Sequence, residues 1–454
     1  MMPSITPLFF AALFFAAPPA SSVQPSAALA AKVDALFAPV AGGKLPGAAV
    51  AIVQDGRVVL MKGYGMADVE KNVPITPGAI FRLASVTKSF TAVATLQLHE
   101  RGKLNIEDPV SKYLPDFTAG ANVRIAHLLT HTAGVPDFIS IEEAKKRPLE
   151  FTPGSRISYS NSGYQLLGLI IEKASGKRWE ECLRENIFQP LGMKHTGWDR
   201  SSELPGRATG YLLGKDGAYE PVQAQDAAGA FAAGGLYSTV EDMVRWDEGL
   251  AKSKVLKRKT LELAFSPGLL TDGRRTVYGM GFIIGKHGGL REIGHGGDIT
   301  GFNTWIARYP ERDFAVVVLS NTGMRPPGPL PTASDLAHRI VELYLADYIE
   351  KPQQKAPVQL SAAALDSWVG RYEFDAPETV IQQTGRYLTI TREGERLIGQ
   401  DKNTKLPLEA QSQTVFQSPG APIVFTFVRG EEGKATEVIV TVMGLREFRA
   451  KRVD

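Results

Sequence analysis

The apolar positions of the chain change their spacing several times, and each change predicts a different element. Ala48–Val53 and Val58–Met61 are two apolar runs around Asp55-Gly56, a pair that favours the tight turn of a β-hairpin. Ahead of them, Ala27–Phe37 reads as a helix ended by Pro39 and Gly42-Gly43. Residues 86–101, 123–131 and 162–175 carry helical spacing. Around 279–319 the texture turns to strand. Met280–Ile284 and Leu290–Ile293 flank Lys286-His287-Gly288-Gly289, and Thr304–Tyr309 and Phe314–Leu319 flank Pro310–Asp313. Strands at both ends with helices between predict an α/β (α+β) domain: one antiparallel sheet flanked by helices, plus an all-helical subdomain. A Pro-rich loop follows at 325–331, then a helix over Ser334–Tyr348.

Beyond a polar linker at 350–356 the pattern changes completely. Tyr372–Phe374, Thr379–Gln382, Tyr387–Thr391, Arg396–Gln400, Thr414–Gln417, Ile423–Val428, Glu437–Val442 and Arg446–Lys451 are short strand candidates. Turns such as Glu393-Gly394 and Glu432-Gly433 separate them, as in a small all-β barrel or sandwich over 357–454.

Composition changes this picture little. The 454 residues carry a formal charge of +3, too small to point to nucleic acid, and 44% hydrophobic residues fit a globular protein. The N-terminus adds more. Leu8–Ala17 is an apolar run of signal-peptide length, followed by Pro18-Pro19-Ala20-Ser21-Ser22. This predicts a signal peptide over 1–22, an exported (periplasmic or secreted) protein, and a first domain over 23–349. No Lys or Arg precedes the run. No other stretch is long enough to span a membrane. Cys182 is the one cysteine, so an intrachain disulfide is excluded, and a buried structural thiol is expected. Neither metal-ligand spacing nor a phosphate-binding glycine loop occurs, so neither metal nor cofactor is implied.

Candidate chemistry begins at Ser85-Val86-Thr87-Lys88. A serine at a helix start and a lysine three positions on share one face. A serine hydroxyl needs a base, and a lysine made neutral by burial can be one. The S-x-x-K spacing alone is weak, since about one or two are expected by chance at average composition; this chain holds one. Tyr159-Ser160-Asn161 is the single Y-x-N among 13 tyrosines. Its tyrosine could relay a proton and its asparagine could bond substrate, or Asn161 could simply cap the following helix. Gly294-His295-Gly296-Gly297-Asp298 lies on or beside a strand, where glycines permit close backbone approach. The rival His287-Gly288-Gly289 reads as a hairpin turn.

S-x-x-K, Y-x-N and H-x-G in that order resemble the serine β-lactamase and penicillin-binding-protein superfamily, in its class C-like branch with D-aminopeptidases and carboxylesterases. The segments His127–Val135, Ile187–Met193 and Gly234–Asp242 add to the likeness, which covers residues 30–348. In the last of these, Ser238 with Glu241 reads as a capping box, and Gly192 as a helix end. The resemblance implies Ser85 as acylated nucleophile, Lys88 as its proton acceptor and Tyr159 as base or relay. It implies Asn161, His295 and Gly297 at the substrate, and the backbone N–H groups of Ser85 and Asp298 as oxyanion hole. His131 is expected to fix a loop.

Penicillin-recognising members carry K-T-G where this chain has His295-Gly296-Gly297. A histidine is mostly neutral at pH 7 and anchors a carboxylate poorly. The expectation is therefore hydrolysis of a small-molecule ester, amide or D-peptide. A true β-lactamase or D-Ala-D-Ala carboxypeptidase is the alternative, and a non-catalytic peptidoglycan- or peptide-binding module is the reading from another class. The barrel could cap the cleft or bind a partner. Oligomeric state is not legible.

Overall fold

A computed structural model describes residues 27–137, 139–200, 204–222, 227–323, 329–350, 358–376, 381–382, 384–431 and 433–454. The expected signal peptide and nearly all of the expected linker lie outside them.

Six strands form the main sheet: β1 (Ala48–Gln54), β2 (Arg57–Tyr64), β3 (Ile283–His287), β4 (Leu290–Ile299), β5 (Phe302–Tyr309) and β6 (Phe314–Ser320), in the order β3-β4-β5-β6-β1-β2. All neighbours are antiparallel, and β1 joins the two ends of the first domain by pairing with β6 (Ala51 opposite Val317). Asp55 and Gly56 take φ 53° and 69°, the left-handed pair that the Asp-Gly turn requires.

The two faces of the sheet explain the unbroken apolar runs of β1 and β6. Ala48, Val50 and Ile52 of β1, with Val316 and Val318 of β6, pack under α1 (Ala27–Leu36) and the last helix of the domain (Ala333–Tyr344). Ala49, Ala51, Val317 and Leu319 face the other way, onto the core around Phe90 and Trp246. A strand covered on both faces has no polar side to show.

That second core holds α2 (Thr87–Glu100), which is buried from Thr87 to Leu98 although half of those residues are polar. Buried donors along it find acceptors: Ser89 Oγ donates to Val86 O (2.8 Å), Thr91 Oγ1 to Ala232 O (2.7 Å), Gln97 Nε2 to Val255 O (2.9 Å). Around it lie α3 (Asn161–Ser175), α4 (Val240–Ala251) and the short helices of the all-helical part. The N-cap of α4 is Thr239, whose side chain accepts from Asp242 N–H (3.2 Å); Ser238 instead bonds Thr196, so the Ser238–Glu241 capping box does not form. Gly192 ends its helix at φ 70°.

The C-terminal strands close into an eight-stranded up-and-down barrel: β7 (Gly370–Asp375), β8 (Tyr387–Glu393), β9 (Arg396–Gln400), β10 (Lys405–Ala410), β11 (Val415–Gln417), β12 (Ile423–Arg429), β13 (Ala435–Val442) and β14 (Arg446–Arg452). The sequence reading reaches the same number of strands through two errors. Thr379–Gln382 is no strand: Ile381 and Gln382 are helical, and 379–380 lie outside the described residues. Lys405–Ala410 is a strand despite Pro407, because β10 is paired only with β9 at that residue.

Candidate active site

The site is built where a short strand, a strained turn and a helix start meet. Phe81–Arg82 pairs with Leu236–Ser238, and Leu83 N–H continues the pairing onto Leu236 O at 2.8 Å. The chain then reverses through Ala84 at φ 48°, a left-handed conformation unusual for a residue with a Cβ. One 3-10 turn, Ala84–Val86, leads into α2. Ser85 thus sits partly exposed at the mouth of the helix, and Lys88 one turn on is fully buried beneath it.

Lys88 Nζ touches three acceptors: Ser85 Oγ at 3.1 Å, Asn161 Oδ1 at 2.7 Å and Ala233 O at 2.8 Å. It also lies 4.6 Å above the Tyr159 ring. Burial drives its pKa down to about 7, and the Asp137 carboxylate opposes that fall. Tyr159 is hydrogen-bonded to Ser85, which lowers its pKa, but burial outweighs this and holds the phenol well above its usual value.

Asn161 is not the cap of its helix. Ser160 caps α3, accepting from Gly163 N–H at 3.0 Å. This frees the Asn161 side chain to reach Lys88, while its backbone N–H donates to Asp137 Oδ1 at 2.6 Å. Asp137 belongs to no motif in the sequence and emerges only from this geometry.

His295 borders the same cavity as Ser85 but is almost wholly buried. It is 2% exposed and both ring nitrogens are engaged, Nδ1 with Gly296 O (2.6 Å) and Nε2 with Tyr278 Oη (2.8 Å). A carbonyl can only accept, so Nδ1 carries the proton and the Tyr278 hydroxyl donates to Nε2. Burial first, and the nearby Lys88 second, hold its pKa down to about 3. The ring therefore offers no cation. The expected substrate contact of His295 is at most a wall of neutral imidazole.

His131 closes this inner layer. Its Nδ1 accepts from Ser160 N–H at 3.1 Å, and its ring packs 4.2 Å from that of Tyr159. It fixes the loop carrying Tyr159, from a backbone φ of 58°.

Gly297 has a tighter reason to be glycine than substrate approach. A Cβ there would stand 2.2 Å from Leu83 O and 3.1 Å from Ala84 Cβ. The absence of a side chain lets β4 lie against the turn that presents Ser85. Asp298 follows, opposite Asn303 in the register with β5. Ser85, Tyr159, Asn161, Gly297 and Asp298 share one cavity of about 640 Å3, whose other walls include Ile139, Ile283, Ile299 and Trp305. His287 is apart from it, at the end of β3 and stacked on His338. Cys182 is buried in the helical part. Among the described residues no cluster could hold a metal ion, and no helix is long and apolar enough to cross a membrane.

Comparison with known proteins gives a consistent picture. A model of the beta-lactamase family matches residues 33–338. Penicillin-binding protein 4* of Bacillus subtilis is 27% identical over 444 residues, covering 86% of this chain and 94% of that protein. The octameric penicillin-binding protein homologue from Pyrococcus abyssi superposes with a TM-score of 0.62 at 26% identity, over 94% of this chain and 99% of that one. A D-amino acid amidase from Ochrobactrum anthropi gives a TM-score of 0.62 at 25% identity, over 70% of this chain and 99% of its own.

Proposed function

The chain belongs to the beta-lactamase family, and from that premise we propose that it is a serine hydrolase whose Ser85 forms an acyl-enzyme with a small ester, amide or D-amino-acid substrate. The observation that carries this reading is the set of three acceptors around Lys88. An ammonium has three protons for three acceptors; a neutral amine has two protons and a lone pair. With its protons on Asn161 Oδ1 and Ala233 O, the neutral amine turns its lone pair to Ser85. A pKa of about 7 makes that form abundant at neutral pH.

Ser85 Oγ then attacks the substrate carbonyl as its proton passes to Lys88. The carbonyl electrons move onto the oxygen, which in this reading the backbone N–H groups of Ser85 and Asp298 stabilise. When the intermediate collapses, the leaving group takes a proton from Lys88, directly or through the Tyr159 hydroxyl. Water hydrolyses the acyl ester by the reverse proton route. Tyr159 serves as a neutral phenol passing a proton, since burial keeps it protonated.

Two features support the choice of substrate. The neutral His295 gives no charge with which to hold a carboxylate where penicillin-recognising members carry a lysine, and the one Lys or Arg lining the cavity among the described residues, Arg446, comes from the barrel. The cavity walls are largely aliphatic and aromatic, suited to an ester or amide with an apolar substituent. The likeness to an amidase for D-amino acids favours the amide of a D-residue as one such substrate. Assays of p-nitrophenyl esters, D-alanyl anilides and a chromogenic cephalosporin in parallel test the reading. Turnover of the first or second class that disappears in Lys88→Ala supports it, and turnover that survives the substitution contradicts it. The N-terminal apolar run leads us to propose export as well; N-terminal sequencing of the mature protein tests that.

A further inference from the structure

The barrel contributes to the cavity that holds Ser85. Met443, Leu445 and Arg446, from the turn between β13 and β14, line it beside Tyr159 and Asn161. The contact is a backbone ladder. Tyr159 N–H donates to Leu445 O at 2.9 Å, Glu447 N–H donates to Ile157 O at 3.0 Å, and Ser158 bridges Arg446 in antiparallel register. The segment carrying Tyr159 is thus joined to β14 as a short added strand. Behind it Arg274 bonds both oxygens of the buried Glu447, at 2.7 and 3.1 Å. At the tip, a Cβ on Gly444 would stand 2.9 Å from Val277 of the catalytic domain. The turn is held, and it is held against the site.

Its tip residue is unusual. Leu445 N–H donates to Val442 O at 3.0 Å, closing a turn with φ 53° at Met443 and 70° at Gly444. Such a type I′ turn favours Asn, Asp or Gly at its first central position, and an apolar side chain with a Cβ is strained there. Met443 is also 60% exposed. Strain and exposed apolar surface coincide on one residue that lines the cavity.

We propose that Met443 is a specificity-determining residue: the barrel turn completes the substrate cavity, and Met443 with Leu445 forms the wall that receives an apolar substituent of several carbons. The inference rests on the serine-hydrolase reading above. It explains why the Tyr159 segment is hydrogen-bonded to another domain, since wall and proton relay are then set by the same ladder.

The test compares p-nitrophenyl octanoate with p-nitrophenyl acetate in the full chain, for wild type, Met443→Asn and Met443→Leu. Losing half the burial of one apolar side chain is worth about tenfold, so Met443→Asn should lower the octanoate-to-acetate ratio of kcat/KM about tenfold, and Met443→Leu should restore most of it. Asn suits the turn, so the thermal midpoint of Met443→Asn should not fall. A ratio unchanged within about twofold, or raised, overturns the role of Met443 while a fluorophosphonate still labels Ser85. Failure of Ser85 to label overturns the hydrolase reading itself, and this inference with it.

Discussion

Asn161 Oδ1 accepts a hydrogen bond from Lys88 Nζ at 2.7 Å, which ties the start of one helix to the buried lysine of another. The same asparagine holds Asp137 through its backbone N–H at 2.6 Å. The lysine that faces Ser85 is thus oriented from the loop that also carries Tyr159, and the S-x-x-K and Y-x-N motifs form one hydrogen-bonded unit.

The pH dependence follows from Lys88. Its pKa is lowered to about 7, so the amine is the working form above that pH and the ammonium below it. For an ester substrate kcat/KM should rise with a midpoint near pH 7 and level off on the alkaline side. Neither His295, held down to about 3, nor Tyr159, held above its usual range, adds a second limb between pH 5 and 9. A profile falling through pH 7 would contradict the assignment of Lys88 as base.

Asp137 should move that midpoint. Its negative charge favours the ammonium form of Lys88. Asp137→Asn keeps an oxygen to accept from Asn161 N–H but removes the charge, so the acid limb should shift to lower pH. Steady-state profiles of the variant and wild type read this directly, and a shift to higher pH would show that Asp137 acts on another group.

Tyr159→Phe leaves the ring that packs on His131 and removes the hydroxyl. A lost proton relay costs about 10²–10⁴-fold in kcat. The measurement is kcat with an unchanged thermal midpoint; a loss of under threefold would remove Tyr159 from the proton route.

Gly297→Ala should be damaging for a structural reason. Its Cβ would meet Leu83 O at 2.2 Å, so either β4 or the turn presenting Ser85 must move. We expect a lowered thermal midpoint together with a loss of kcat, because the displaced turn carries the nucleophile. Normal stability and activity would show that the turn can yield without cost.

How much of this was legible in the sequence depends on the range of the interaction. Ser85 and Lys88 lie one helical turn apart, so local spacing places them on one face. The β1–β2 hairpin declares itself through Asp55-Gly56, and the two-sided burial of β1 through its unbroken apolar run. Asp137 and Tyr278 could not be found, because their hydrogen bonds to Asn161 and His295 join residues that no local spacing relates. His295 itself was visible, but its orientation was not: on a strand, only the three-dimensional neighbours say which way a ring is turned. The two readings of Asn161, cap or site residue, could not be separated by spacing, since Ser160 and Asn161 are both good caps; in the fold Ser160 caps α3 and Asn161 Oδ1 bonds Lys88. Strand β10 hid behind Pro407, which the barrel tolerates where β10 has one partner strand.

The central claim is that Ser85 becomes covalently acylated, and intact-mass analysis after exposure to a fluorophosphonate probe tests it most directly. Wild type should gain the mass of one adduct, mapped to the peptide containing Ser85, and Ser85→Ala should gain none. Equal labelling of both proteins would contradict the account.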